Sequence, residues 1–226
     1  MANEGAIILL SGGLDSSTLL FYLKKVLKIK PIFALTFLYG QKHSREIQSA
    51  IWQAKNANIP HKILDFSFFK ELLGNSSALI SRRVKIPNLE ALPKKVLLQP
   101  PTYVPHRNLI LLSLAASYAE ANCVQNVFYG AQRQDAYSYW DCTSQFISAL
   151  NNILKLNRKK PVKIKAPFVE WGKKKIIQLG LRLGVDYSHT WTCYVGRKVI
   201  CGKCPSCVER LNAFAALNIS DPLRFE

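Results

Sequence analysis

Two stretches of the chain carry side chains whose types and spacing suit chemistry. The first is Ser11-Gly12-Gly13-Leu14-Asp15-Ser16-Ser17. Ahead of it, Ala6 to Leu10 is a short run rich in Ile and Leu that reads as a buried parallel strand. Beyond it, Leu19, Leu20, Leu23, Val26 and Leu27 fall at helical spacing. A strand, a glycine turn and a helix start gather unbonded backbone N–H groups and the positive end of a helix dipole in one place, which makes an anion site. Gly12 and Gly13 allow close backbone approach, Ser16 and Ser17 add hydroxyl donors, and Asp15 can cap the helix or hold a magnesium ion. A plain capped turn would need neither the paired glycines nor three serines. The stretch is neither a G-x-x-x-x-G-K-[ST] loop nor a G-x-G-x-x-G loop.

The second stretch is Cys193 followed by Cys201-x-x-Cys204-x-x-Cys207. Four thiolates satisfy tetrahedral zinc, and the bend at Gly202 with Pro205 can aim the three clustered sulfurs at one point. Such a site has no open position, so one structural zinc per chain is expected. Iron–sulfur ligation uses the same two-residue gaps and stays open on spacing alone. Cys123 reads as a core residue and Cys142 as a neighbour of the pocket.

These groups need a frame, and the pattern supplies one. Pro31–Leu38, His61–Phe66, Gln125–Gly130 and Val162–Phe168 read as further strands. Helices are expected over Ser44–Ala57, with Ile47, Ala50, Ile51 and Ala54 inward, and over Arg107–Ala121, Cys142–Leu154 and Gly172–Leu183. Prolines at 87, 93, 100, 101 and 105 make residues 74–105 a long connection. Strands alternating with helices predict an α/β fold with a doubly wound, mostly parallel sheet. Ligands bind beyond the carboxyl ends of such strands, where loops 11–17, 39–43 and 131–141 fall. Tyr39, Gln41 and His43 in the second loop, and Asp135 and Asp141 in the third, are candidates to hold a flat, nitrogen-rich ring. Arg107 and Asn108 open a helix after the proline-rich connection, where an arginine can pair with a phosphate or a carboxylate.

Composition narrows the class. Of the 226 residues 49% are hydrophobic and 11% aromatic, which suits a folded globule. No apolar run is long enough to span a bilayer, and Met1-Ala2-Asn3-Glu4-Gly5 lacks the basic start of a signal peptide, so a cytoplasmic location is expected. The net charge is +17, and lysines crowd residues 155–175. Such a field suits phosphates and leaves a protein or nucleic-acid partner open, although charge alone supplies only non-specific affinity.

The loop resembles the PP-loop of the ATP pyrophosphatases, which hold the β,γ-pyrophosphate of ATP and pass AMP to a carboxylate or carbonyl oxygen. The whole chain resembles the QueC family, the 7-cyano-7-deazaguanine synthases. After the loop, the matching segments are Tyr39-Gly40-Gln41-Lys42-His43, Thr102–Asn108, Tyr129-Gly130-Ala131, Tyr139-x-Asp141-Cys142 and Thr190–Tyr194, then the cysteine triplet, Arg210 and Asp221-Pro222. The resemblance implies that residues 1–185 form a PP-loop domain, with a zinc-binding four-cysteine module over 186–226. It implies that Leu10, Ser11, Gly12, Gly13, Leu14, Asp15, Ser16, Ser17 and Thr18 hold ATP with magnesium. Asp15, Arg107 and Lys173 would be catalytic, with Lys173 on a phosphate oxygen, in a chain that forms homodimers. The reaction implied converts 7-carboxy-7-deazaguanine and ammonia, with ATP, to an amide and then a nitrile, within queuosine biosynthesis. Departures stand beside the match. Trp140 replaces a usual Pro, Thr143, Ser144 and Gln145 replace Arg-Pro-Glu, and Lys175 replaces an acid. They leave open a ligase that joins the deazaguanine carboxylate to a macromolecular amine, and a nucleotide- or RNA-binding module without turnover.

Overall fold

The computed structural model describes residues 5–42, 45–91, 99–136, 139–158, 160–196 and 198–223. Five parallel strands form one sheet in the order β3-β2-β1-β4-β5: β1 Ala6–Leu9, β2 Ile32–Leu38, β3 His61–Asp65, β4 Asn126–Phe128 and β5 Lys163–Lys165. The central strand is apolar on both sides because both sides are covered. Ala6 and Ile8 face the core shared by α1 (Leu14–Lys25), α2 (Arg45–Asn56), α7 (Lys173–Arg182) and α8 (Pro205–Ala215). Ile7 faces the opposite core, filled by α4 (Arg107–Ala121) and α6 (Ser144–Leu154). This is the doubly wound α/β sheet that the alternating pattern predicts. The chain order reverses beside β1, between its neighbours β2 and β4, so a crevice opens at the carboxyl end of β1, where the serine–glycine loop begins.

Some elements differ from the sequence pattern. Two short helices, α3 (Phe69–Leu73) and α5 (Arg133–Ala136), and the longer α8 have no strong periodic signal. Pro205 at the first position of α8 fits its fixed backbone angle to a helix start. In α2, Ile51 is exposed, and Gln53 takes the inward place with no solvent exposure. The amide of Gln53 offsets the cost of its burial by donating to the carbonyls of Asp186 and His189. Cys123 is exposed rather than core, because the chain turns there after α4 with a φ of +57° and swings the side chain outward.

Candidate functional site

The serine–glycine loop is built as an anion cradle. Gly13 occupies the cap position of α1, and no side chain accepts a hydrogen bond from the helix start. The first-turn N–H groups therefore remain open to an acceptor. Gly12 has a φ of +77°, and a Cβ there would lie 2.1 Å from the carbonyl oxygen of Glu46 and 2.5 Å from the nitrogen of Ala50. The loop thus presses directly on the backbone of α2. Ser11 and Ser16 brace each other, with their Oγ atoms 3.0 Å apart, and the Gly13 N–H donates to Ser11 Oγ at 3.3 Å.

A cavity of about 290 Å³ opens in front of this cradle. Leu10, Ser11, Gly13, Leu14, Asp15 and Ser16 form one wall. Gly12, Ser17 and Thr18 lie behind it. The Thr18 hydroxyl donates to the Leu14 carbonyl and meets the Tyr187 hydroxyl at 2.7 Å, so it braces the interior. Tyr39, Gln41, Arg107, Asn108, Asp135 and Lys173 also line the cavity, which brings five separate sequence segments together. Asp141 stands one layer back, where its Oδ2 accepts from the Asn108 N–H at 3.2 Å. His43 lies outside the described residues.

At the cradle, Lys173 Nζ lies 3.1 Å from Asp15 Oδ2 and 3.0 Å from Glu209 Oε2. Burial works against the lysine's charge, but the carboxylates of Asp15 and Glu209 outweigh it and hold Lys173 above the ordinary lysine range. Burial pushes the Asp15 carboxyl up despite Lys173, and Asp15 Oδ1 has no hydrogen-bond partner. Asp135 is pushed up to about 7 by burial, against the pull of Lys173. Three carboxyl groups around one ammonium leave negative charge to be balanced, which suits a divalent cation carried in with a phosphate ligand.

The far wall is different. Arg107 Nη1 donates to the Tyr39 hydroxyl at 3.4 Å, and its guanidinium lies 5.6 Å from the Tyr39 ring centre. Asn108 Nδ2 donates to Cys142 Sγ at 3.2 Å. Burial, with the nearby acids Asp135 and Asp141, keeps the Cys142 thiol far above its ordinary range, so it serves as a neutral wall group.

The cysteine cluster sits beside the cradle. The four sulfurs of Cys193, Cys201, Cys204 and Cys207 lie within 4.8 Å of one another. One ion at about 2.3 Å from each of four tetrahedral sulfurs sets them about 3.8 Å apart, so the set fits a single metal ion. A four-iron cluster binds each thiolate through a different iron and needs a wider ring of sulfurs. Around this cluster the chain grips the loop. The Trp191 N–H donates to the Gly12 carbonyl at 2.9 Å. Arg210, with no solvent exposure, bonds Asp221, Thr190, Thr192 and the Tyr187 carbonyl.

Two cavity acids escape a reading by motif. Glu46 looks like an ordinary first-turn acid of an amphipathic helix, and Glu209 like a solvated charge between Cys207 and Arg210. Only the fold turns both into the cavity.

The family model described as "Queuosine biosynthesis protein QueC" matches residues 5–218. The chain belongs to the QueC family. Among its relatives, the 7-cyano-7-deazaguanine synthase of Hahella chejuensis is 43% identical over 221 residues, covering 98% of this chain and 93% of that protein. That of Marinobacter nauticus is 41% identical over 223 residues, covering 99% and 98%. Among solved structures, the NMN synthetase of Francisella tularensis is similar with a TM-score of 0.54 at 15% identity, covering 97% of this chain and 79% of that one. The U34-tRNA thiolase NcsA of Methanococcus maripaludis, solved with its [4Fe-4S] cluster, gives 0.53 at 16% identity, covering 96% and 65%. These two likenesses concern the fold. No helix among the described residues is long and apolar enough to cross a membrane.

Proposed function

We propose that this chain is an ATP-dependent synthase that converts 7-carboxy-7-deazaguanine and ammonia to 7-cyano-7-deazaguanine, within queuosine biosynthesis. The observation that carries the reading is an uncapped helix start facing a cavity beside an Asp15–Lys173–Glu209 cluster with a buried lysine, in a QueC-family chain. A carboxylate is a poor electrophile, and adenylation gives it a good leaving group. In this reading the open N–H groups of the first turn of α1 take the pyrophosphate, with Lys173 on a phosphate oxygen. Asp15 and Asp135 would hold magnesium, which supplies charge neutralisation to the phosphates. Arg107 pairs with the deazaguanine carboxylate and keeps it beside the α-phosphorus.

Atoms and charge balance at each step. A carboxylate oxygen attacks the α-phosphorus and releases pyrophosphate. Ammonia then attacks the carbonyl carbon, loses a proton and displaces AMP to leave an amide. The amide oxygen attacks the α-phosphorus of a second ATP, again releasing pyrophosphate. Loss of the nitrogen's protons and of AMP leaves the nitrile.

Residues 186–226 act in this reading as a four-cysteine module on a PP-loop domain of residues 1–185, with one zinc held by Cys193, Cys201, Cys204 and Cys207 in a structural role. The thiolate set supports a reducing, cytoplasmic setting, and the active unit is a homodimer.

A second reading, a ligase that joins the carboxylate to a macromolecular amine, is favoured by one feature. Trp140 stands exposed between the cavity-lining Tyr139 and Cys142, at the position where the segment departs from its family. One experiment separates the two. The protein is incubated with ATP, magnesium, 7-carboxy-7-deazaguanine and ammonium, and products are read by mass. The synthase reading expects the nitrile, with two AMP and two pyrophosphate per product, and no turnover by folded Asp15→Ala. Unchanged acid until a macromolecule is added would replace it with the ligase reading, and wild-type turnover by Asp15→Ala would refute the loop assignment.

A further inference from the structure

The cavity carries two chemically distinct polar groups. One is the cradle with Lys173 and its carboxylates. The other is Tyr39, Gln41, Glu46 and Arg107. Glu46 has a particular setting there. Its Oε1 accepts from Gln41 Nε2 at 2.8 Å, and Gln41 Oε1 in turn accepts from the Tyr39 N–H at 2.9 Å. The carboxylate is thereby held in orientation by a side chain that is itself fixed to the backbone at the end of β2. No lysine or arginine among the described residues comes within ion-pair distance of it. Burial pushes its carboxyl up to about 7, although the charge of Arg107 pulls the other way. A carboxylate that is oriented, partly desolvated and without an ion-pair partner on a cavity wall favours N–H donors from whatever fills the cavity.

We infer that Glu46 reads the 2-amino-4-oxopyrimidine edge of the carboxylate substrate. That edge presents a ring N–H and an exocyclic amino group side by side, two donors at the spacing of a carboxylate's acceptors. An adenine edge presents one donor and one ring acceptor, and above about pH 7, where Glu46 is ionised, the ring acceptor faces the carboxylate unfavourably. The same wall carries the opposite charge on Arg107, which also lacks a carboxylate partner among the described residues. A flat ring system with two donors on one edge and a carboxylate substituent elsewhere matches both groups at once, and the base of ATP matches neither. The inference rests on the deazaguanine reading above and assigns its specificity to one residue.

The test uses the full-length, metal-loaded protein and measures kcat/KM for 7-carboxy-7-deazaguanine and KM for ATP separately. Glu46→Gln keeps the shape and can still accept from Gln41, but it sets an amide N–H against a substrate donor. The expected loss in kcat/KM for the carboxylate substrate is about 10- to 100-fold, the range for a hydrogen bond to a charged group. The ATP KM should stay within about two-fold, and Glu46→Asp should recover part of the loss. An analogue lacking the 2-amino group should be a poor substrate for wild type and should be discriminated less by Glu46→Gln. If Glu46→Gln instead raises the KM for ATP, or leaves discrimination between the two substrates unchanged, the assignment is wrong while the synthase reading stands. If wild type makes no product from the deazaguanine acid, both fall.

Discussion

Replacing Glu46 by Gln should stabilise the ligand-free protein, by an amount that grows with pH. The carboxyl has an ordinary value of 4.5 and is held at about 7 in the folded chain. A folded value above the unfolded one means that folding favours the protonated form. The benefit is complete below about 4.5 and is lost as pH rises through about 7. At pH 8 the acid is ionised in both states, and the folded state carries a poorly solvated charge. The shift is worth about 3 kcal/mol in full, and about 2 kcal/mol after allowance for water in the cavity that Glu46 lines. Glutamine carries no such charge and can keep the hydrogen bond from Gln41. Urea unfolding of both proteins at pH 5, 6, 7 and 8 reads the difference through the midpoints at a common slope. The variant should gain little at pH 5 and about 2 kcal/mol at pH 8. The cysteine site and the other acids are common to both proteins, so their own pH dependence cancels. A variant that is less stable at pH 8, or a gap that does not change with pH, would show that Glu46 is not a strained acid.

Gly12→Ala should lose at least about 2 kcal/mol in denaturant melts, since φ is +77° and the new methyl group meets the backbone of α2. Gly13→Ala, whose nearest neighbour would be Ser11 Oγ at 3.3 Å, should lose much less, and equal losses would contradict the close approach. Purified wild type should be colourless with about one zinc per chain, and Cys204→Ser should lose both metal and stability. A brown protein carrying iron would overturn the single-ion fit.

Local signals in the sequence were strongest where one element decides the chemistry. The glycine pair between an apolar strand and a helix needed no tertiary information, and neither did the spacing of the cysteines. The parallel sheet followed from alternation, because a strand buried on both faces must be apolar throughout, as β1 is. Residues whose role depends on a distant partner were harder to see. Glu209 becomes a cavity group only because α8 lies against α7 and meets Lys173, 36 positions earlier in the chain. Gln53 looks like a surface residue until the turn at Asp186–His189 supplies carbonyls for its amide. Cys123 reads as core by residue type, and the left-handed turn after α4 decides otherwise.

The hold of the C-terminal segment on the serine–glycine loop has a temporal consequence. The Thr18 and Tyr187 hydroxyls that meet in the interior are 169 positions apart, and Lys173 reaches Asp15 across 158. On a growing chain, the cradle is made 158 residues before Lys173 and must wait for that stretch before it is held in shape. During synthesis at about 5–20 residues per second, that wait lasts on the order of ten seconds or more. Throughout it, β1 and α1 expose apolar surface that α7 and α8 will later cover. Chaperone demand should therefore fall on the early half of the chain, and shortages of metal should appear first as poor yield of folded protein rather than as slow enzyme.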